Sequence, residues 1–190
     1  MKKILSLFQR NFEGNRKVRD EVSPGAEWVL NGEGRATRKW DGVAVLIKDG
    51  HSFMRYDAKK GRTPPPDFIP AQPEPDPVSG HWPGWISAEV PAGKWIQEAI
   101  KDYAGELVDG KTYEVVGPKI GTRHGPNPEK LEFHKLIPHG RDYLDDCPRT
   151  YAGIMEYLRG KSIEGIVFWH DDGRMVKIKR ADFPYGEKNV

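Results

Sequence analysis

The sequence predicts an α+β fold built mainly on antiparallel sheet, and three observations carry that expectation. Short β-rich runs dominate the 190 residues, Asp-Gly pairs stand between several of them as hairpin turns require, and two segments with apolar residues three and four apart interrupt them. A hydrophobic content of 37% over this length suits one domain spanning residues 1–190 with a sizeable core.

Trp28-Val29-Leu30 and Ala36 to Trp40 read as short strands, and Val43 to Ile47 is the continuous apolar run of a buried strand. Asp49-Gly50 signals a hairpin turn into Ser52 to Tyr56, which places Lys39 on or just before the first arm of that hairpin. From Pro64 to Pro77 seven of the fourteen residues are proline, which removes backbone donors and fixes φ, so an internal loop is expected over residues 63–85. His81-Trp82-Pro83-Gly84-Trp85 would pack that loop back on the body.

Trp95, Ile96, Ala99, Ile100, Tyr103, Ala104 and Leu107 predict an amphipathic helix from Lys94 to Val108, ended by Asp109-Gly110. A second helix is expected from Pro148 to Leu158, with Pro148 in its first turn and Gly160 as its stop. Thr112 to Val116, Leu131 to Ile137, Ile163 to Trp169 and Met175 to Lys179 read as strands, the last two joined through Asp171-Asp172-Gly173.

Thirty basic against 28 acidic side chains leave a formal charge of +2, so any site for a polyanion must be local. Cys147 is the single cysteine, which excludes an intrachain disulfide and a cysteine-based zinc site and favours a reducing, cytoplasmic interior. The apolar stretch Ile4 to Phe8 stops at Gln9-Arg10, too short for a signal-peptide core, and no run reaches membrane-spanning length. Neither a membrane nor an obligate protein partner is expected.

Three elements carry chemistry: Lys39-Trp40-Asp41-Gly42, Glu164-Gly165, and Lys177-Ile178-Lys179. A lysine amine attacks phosphorus only when neutral, and an ordinary lysine, with a pKa of about 10.4, is charged at neutral pH. Burial beside Val43 and Val45, the cations Arg38, Lys177 and Lys179, or a metal would each disfavour the ammonium of Lys39. Gly42 would let the backbone approach a nucleotide closely. Glu164 lies in the β-rich apolar run Ser162 to Phe168, where a carboxylate must be paired or metal-bound. Lys177 and Lys179, two apart on a strand, leave one face and can converge on a phosphate cluster. Each element has a plain alternative: an edge lysine before a turn, a solvated glutamate, a solvated basic strand.

Taken together, the three elements resemble motifs I, IV and V of the covalent nucleotidyltransferases, the superfamily of ATP-dependent RNA and DNA ligases and capping enzymes. Tyr113 to Lys119 is similar to the motif III region of small RNA ligases, and Phe133 to Gly140 to the segment after it. Arg55-Tyr56-Asp57-Ala58-Lys59-Lys60-Gly61, with the Pro-rich loop and Trp82 to Trp85, looks like a branch of compact RNA ligases. DNA ligases and capping enzymes commonly carry an arginine where this chain has Ala44, and little chain follows Lys179 for their OB-fold.

The resemblance implies a nucleotidyltransferase fold, antiparallel sheets with flanking helices, and an RNA ligase using ATP and Mg²⁺ or Mn²⁺. Lys39 would form a phosphoramide to AMP, a 5′-phosphate of RNA would take the AMP, and a 3′-hydroxyl would displace it to seal the RNA ends. In that scheme Lys39, Lys177 and Lys179 are catalytic and also bind nucleotide. Asp41, Gly42, Arg55, Glu114, Phe133 and Glu164 bind nucleotide as well: Arg55 and Glu114 at ribose or donor phosphate, Phe133 stacking on adenine, Glu164 and Asp41 positioning the metal or its waters. Lys59, Lys60, Arg62, Lys119 and Arg123 could grip RNA, with Trp82 or Trp85 stacking on bases. The competing functions are a DNA ligase or GTP-using capping enzyme, and an inactive relative that only binds nucleotide or RNA.

Overall fold

The structure, a computed structural model, describes residues 1–120, 129 and 131–185. It is α+β with mostly antiparallel sheets and few helices. The chain divides into two compact units: Ile4–Trp40 with Gly140–Val190, called here the Lys39 unit, and Met1–Lys3 with Asp41–His139, called the Glu114 unit. The boundary cuts the Lys39-Trp40-Asp41-Gly42 motif in half.

In the Lys39 unit β1 (Leu5–Ser6), β2 (Phe8–Arg10), β3 (Val18–Val22), α1 (Glu27–Leu30) and β4 (Arg35–Lys39) precede α3 (Tyr151–Arg159), β11 (Gly165–Trp169) and β12 (Met175–Lys179). The four-stranded sheet runs β1-β12-β11-β4, parallel only between β1 and β12, and β2 pairs with β3. Alternation explains its core. Ala36, Ile166, Phe168, Val176 and Ile178 face Leu7, Phe8 and the α3 residues Ile154 and Leu158, while the intervening positions, including Lys39, Lys177 and Lys179, take the other face.

Three boundaries in this unit depart from expectation. Trp28 to Leu30 is a helical turn, not a strand, because backbone bonds from Val29 N–H to Ala26 and Asn31 N–H to Glu27 satisfy it locally. Helix α3 begins at Tyr151, since the Thr150 side chain caps it by accepting from Gly153 N–H at 3.2 Å, which leaves Pro148 outside. Strand β11 starts at Gly165, so Ile163 and Glu164 precede it.

The Glu114 unit contains β5 (Val43–Lys48), β6 (His51–Ala58), β7 (Ile69–Pro70), β8 (Trp82–Ser87), α2 (Lys94–Lys101), β9 (Thr112–Val116) and β10 (Lys135–Pro138) in a six-stranded antiparallel sheet ordered β10-β9-β5-β6-β8-β7. The β5–β6 hairpin turns through Asp49 and Gly50, both at positive φ (52° and 76°), as a type I′ turn demands. Its first arm starts at Val43, and Lys39 ends β4, a strand of a different sheet. Val45, Ile47, Tyr113, Val115 and Leu136 pack with Ile96 and Ala99 of α2.

Here too the elements are shorter or differently placed. Helix α2 stops at Lys101, not Val108; Tyr103 still packs on the core from beyond its end, against the Tyr113 ring at 5.9 Å, whereas Leu107 and Val108 are exposed. The strand expected at Leu131 is confined to Lys135–Pro138. Trp82–Ser87 is a strand paired with β6, not loop, and the proline run itself contributes the two residues of β7. Pro83 fits because its carbonyl still accepts from Ala71 N–H at 2.9 Å, and the Trp82 indole N–H ties the loop down by donating to the Gln72 carbonyl at 2.8 Å. Among the described residues no helix is long and apolar enough to cross a membrane.

Candidate active site

Register builds the cluster around Lys39. Gly165 of β11 faces Lys39 on β4 and Lys179 on β12, so three directly opposed positions form one row, with Thr37, Val167 and Lys177 in the next. Opposed residues share a face, so all three lysines emerge together. The middle position has no side chain, and none would fit: a Cβ on Gly165 would lie 2.2 Å from the Ile178 carbonyl oxygen. The carboxylate of the preceding residue, Glu164, fills the row between the flanking ammoniums. Its Oε2 accepts from Lys39 Nζ and its Oε1 from Lys179 Nζ at 2.5 Å.

This ion triplet is largely shielded from water, with side-chain exposures of 12% for Glu164, 19% for Lys39 and 38% for Lys179. Water and salt therefore screen it less than an ordinary surface pair. Lys177 completes the cation group. Burial first, and then the nearby charges of Lys39 and Lys179, push its amine below the ordinary lysine range. Such a field stabilises an anion placed on that face.

Backbone anchors hold the row in place. Arg180 N–H donates to the Glu164 carbonyl at 2.8 Å, which continues the β11–β12 ladder past its ends. Buried Asp182 accepts from Lys179 N–H at 3.0 Å and is gripped by Arg10 at 2.6 Å. Neither Asp182 nor Arg10 stands out in the sequence; their only signal is a carboxylate three residues past the last lysine, where a turn cap belongs. The Cys147 thiol, pushed up to about 12 by burial, is no rival nucleophile.

The Glu114 unit gathers a second constellation. Glu114 Oε1 accepts from Gly42 N–H at 3.1 Å, and its Oε2 lies 2.9 Å from His139 Nε2. A carboxylate only accepts, so Nε2 carries a proton, and Nδ1 lies 2.9 Å from the Thr112 hydroxyl. Ala44 is directly opposite Glu114 across β5 and β9, so its small side chain leaves that carboxylate room. Gly42 has a nearer reason than nucleotide access to be glycine, since a Cβ there would meet the Val115 carbonyl oxygen at 2.1 Å. Asp41 N–H donates to Glu129 at 3.1 Å. His139 was not anticipated from sequence; the Thr112/Glu114 alternation on one strand was its only hint.

The remaining expected residues scatter. Arg55 is already engaged, by the Met1 carbonyl at 2.5 Å and Asp57 at 3.0 Å, with its guanidinium 5.6 Å from the Trp85 ring centre. Phe133 is 72% exposed. Trp85 is 2% exposed, which makes it core and removes it as a base-stacking surface. Lys59, Lys60, Arg62 and Lys119 are exposed, and Arg123 lies outside the described residues.

Among the described residues no group of three or more His, Cys, Asp or Glu is gathered that could hold a metal. Glu164, with both oxygens on ammoniums, is a poor seat for a resident dication. No protein-family model matches this chain, and no curated protein matches it either.

Proposed function

We propose that the protein is an ATP-dependent RNA ligase of the covalent nucleotidyltransferase superfamily, with that superfamily's adenylation fold and with Lys39 as its nucleophile. The observation that carries the reading is the row Lys39–Gly165–Lys179: a lysine, the carboxylate of Glu164 bonded to its amine, and two further lysines, all on one sheet face. Nothing about a plain solvated face calls for two ammoniums sharing one shielded carboxylate.

In the first step Lys39 Nζ attacks the α-phosphorus of ATP. The ammonium first gives a proton to its hydrogen-bonded Glu164 oxygen; the neutral amine then forms the N–P bond, the bond to pyrophosphate breaks, and the second proton lost by the nitrogen goes to solvent. Lys177 and Lys179 offset the charge on the phosphates and on departing pyrophosphate. In the second step an oxygen of an RNA 5′-phosphate attacks the AMP phosphorus, breaks the N–P bond and restores the amine. In the third a 3′-hydroxyl attacks the 5′-phosphorus, loses its proton to solvent and expels AMP, leaving a phosphodiester bond. Mg²⁺ or Mn²⁺, bound with the triphosphate, would neutralise part of its charge. Glu114 and Arg55 take the ribose and donor-phosphate roles, Phe133 the adenine and Asp41 the metal waters, as the resemblance assigns them.

The intact mass of the protein tests this reading. After incubation with ATP and Mg²⁺, nucleotide-free protein gains one AMP, and Lys39→Ala gains none. Labelling from GTP alone would make it a capping-type enzyme, sealing of DNA alone a DNA ligase, and an unchanged mass a binding protein.

A further inference from the structure

The sheet face of Lys39 continues to an exposed aromatic ring outside the motifs. Residues Asp142 to Leu144 run along the outer edge of β4. Arg38 N–H donates to the Asp142 carbonyl at 3.0 Å and Leu144 N–H to the Ala36 carbonyl at 2.9 Å. These bonds bracket an antiparallel bridge between Thr37 and Tyr143, which is the non-hydrogen-bonded type of pair, with side chains close together on one face. Leu144, pointing the other way, packs on the core.

Tyr143 therefore shares the face of Lys39, Lys177 and Lys179 and is the diagonal neighbour of both Lys39 and Arg35. Its ring is 50% exposed, with the Arg35 guanidinium 5.7 Å from its centre. Beneath it Thr37 is buried and accepts from the Trp169 indole N–H at 2.8 Å, which fixes the strand at that point. Trp40 is engaged elsewhere, its N–H on Asp142 at 2.6 Å and its ring under Arg38 at 3.6 Å.

We infer that Tyr143, backed by Arg35, is the stacking platform for a base of a single-stranded RNA end whose phosphates run toward Lys39, Lys177 and Lys179. The inference rests on the ligase reading. Charge complementarity selects the occupant, because Arg35 and the three lysines share this face with the carboxylate of Glu164. A polyanion with stackable bases matches both the cations and the ring, and stacking on tyrosine tolerates any base. The adenine of ATP is the competing occupant.

The test is the anisotropy of a fluorescent 5′-phosphorylated single-stranded RNA titrated with Tyr143→Ala, Tyr143→Phe and Arg35→Ala, alongside AMP-adduct formation by mass. Tyr143→Ala is expected to weaken RNA binding about tenfold, Tyr143→Phe to restore it, Arg35→Ala to weaken it and flatten its salt dependence, and AMP-adduct formation to be unchanged. RNA binding unaffected by Tyr143→Ala, or no RNA binding by the wild type, overturns the platform. A Tyr143→Ala defect confined to AMP transfer assigns the ring to adenine instead and also overturns it. A wild type that binds RNA through Tyr143 without ever gaining AMP sinks the ligase reading and leaves the platform standing.

Discussion

The two units each centre on a carboxylate, and the two carboxylates are held by opposite means. Glu164 lies between ammoniums, with Lys39 on one oxygen and Lys179 on the other. Glu114 is held by directional N–H donors, the Gly42 backbone and the His139 ring. An ionic arrangement stores charge and responds strongly when a charge is removed or added. An arrangement of single directional bonds fixes orientation and responds less to the loss of any one of them. On the proposed ligase reading, the first would serve transfer chemistry and the second alignment.

The sharpest way to break that assignment is Lys39→Ala. It is expected to abolish the AMP adduct seen by intact mass, whereas Glu114→Ala slows adduct formation without abolishing it. Equal loss in both variants would erase the distinction. Next comes Gly165→Ala, whose methyl would meet the β12 backbone at 2.2 Å and cannot be accommodated without parting the two strands. A loss of about 3 kcal/mol in urea unfolding is expected, at the upper end for an overpacked site. Little change would show that the row is looser than its register implies.

Glu164→Gln tests the ionic half directly. The amide removes the charge that balances Lys39 and Lys179, so a stability loss of about 1–2 kcal/mol is expected, discounted for the exposure of Lys179, together with at least a roughly tenfold slower AMP transfer. Stability unchanged with transfer intact would mean that the lysines do not depend on it. The Glu114 half responds less. His139→Ala strips one donor from Glu114, about 1 kcal/mol, so the KM for ATP should rise roughly fivefold with kcat preserved, and His139→Gln should recover part of it. A fall in kcat alone would move His139 from alignment to chemistry.

What the sequence revealed follows the same division. The lysine row was legible because period-two alternation on β12 and a hairpin turn at Asp172-Gly173 force Lys177 and Lys179 onto one face beside β11. Glu114 was legible only by resemblance, since its stabilising histidine lies 25 residues away and no local rule links the two. Trp82–Ser87 was hidden by its prolines: local propensity argues against a strand, and pairing with β6 overrides it. Helix α2 was overextended because apolar spacing persists past its end, where Tyr103 reaches the core from outside the helix and Leu107 and Val108 are exposed. Tyr143 carried no motif at all, and its place depends on a single bridge to β4.

The smallest effect concerns Lys177, whose amine is depressed by burial and by the charges of Lys39 and Lys179. A lysine with a lowered folded-state value binds fewer protons when folded than when unfolded, so stability rises with pH between the lowered value and the ordinary 10.5 of the unfolded chain. Below that window the full penalty of a buried ammonium is present, and above it the penalty is gone. Lys177→Met should remove the penalty and flatten this alkaline rise in urea titrations, while the same experiment on His139→Ala leaves the rise in place. A rise that persists in Lys177→Met would place its source on another lysine of the row and weaken the view of the Lys39 unit as the seat of stored charge.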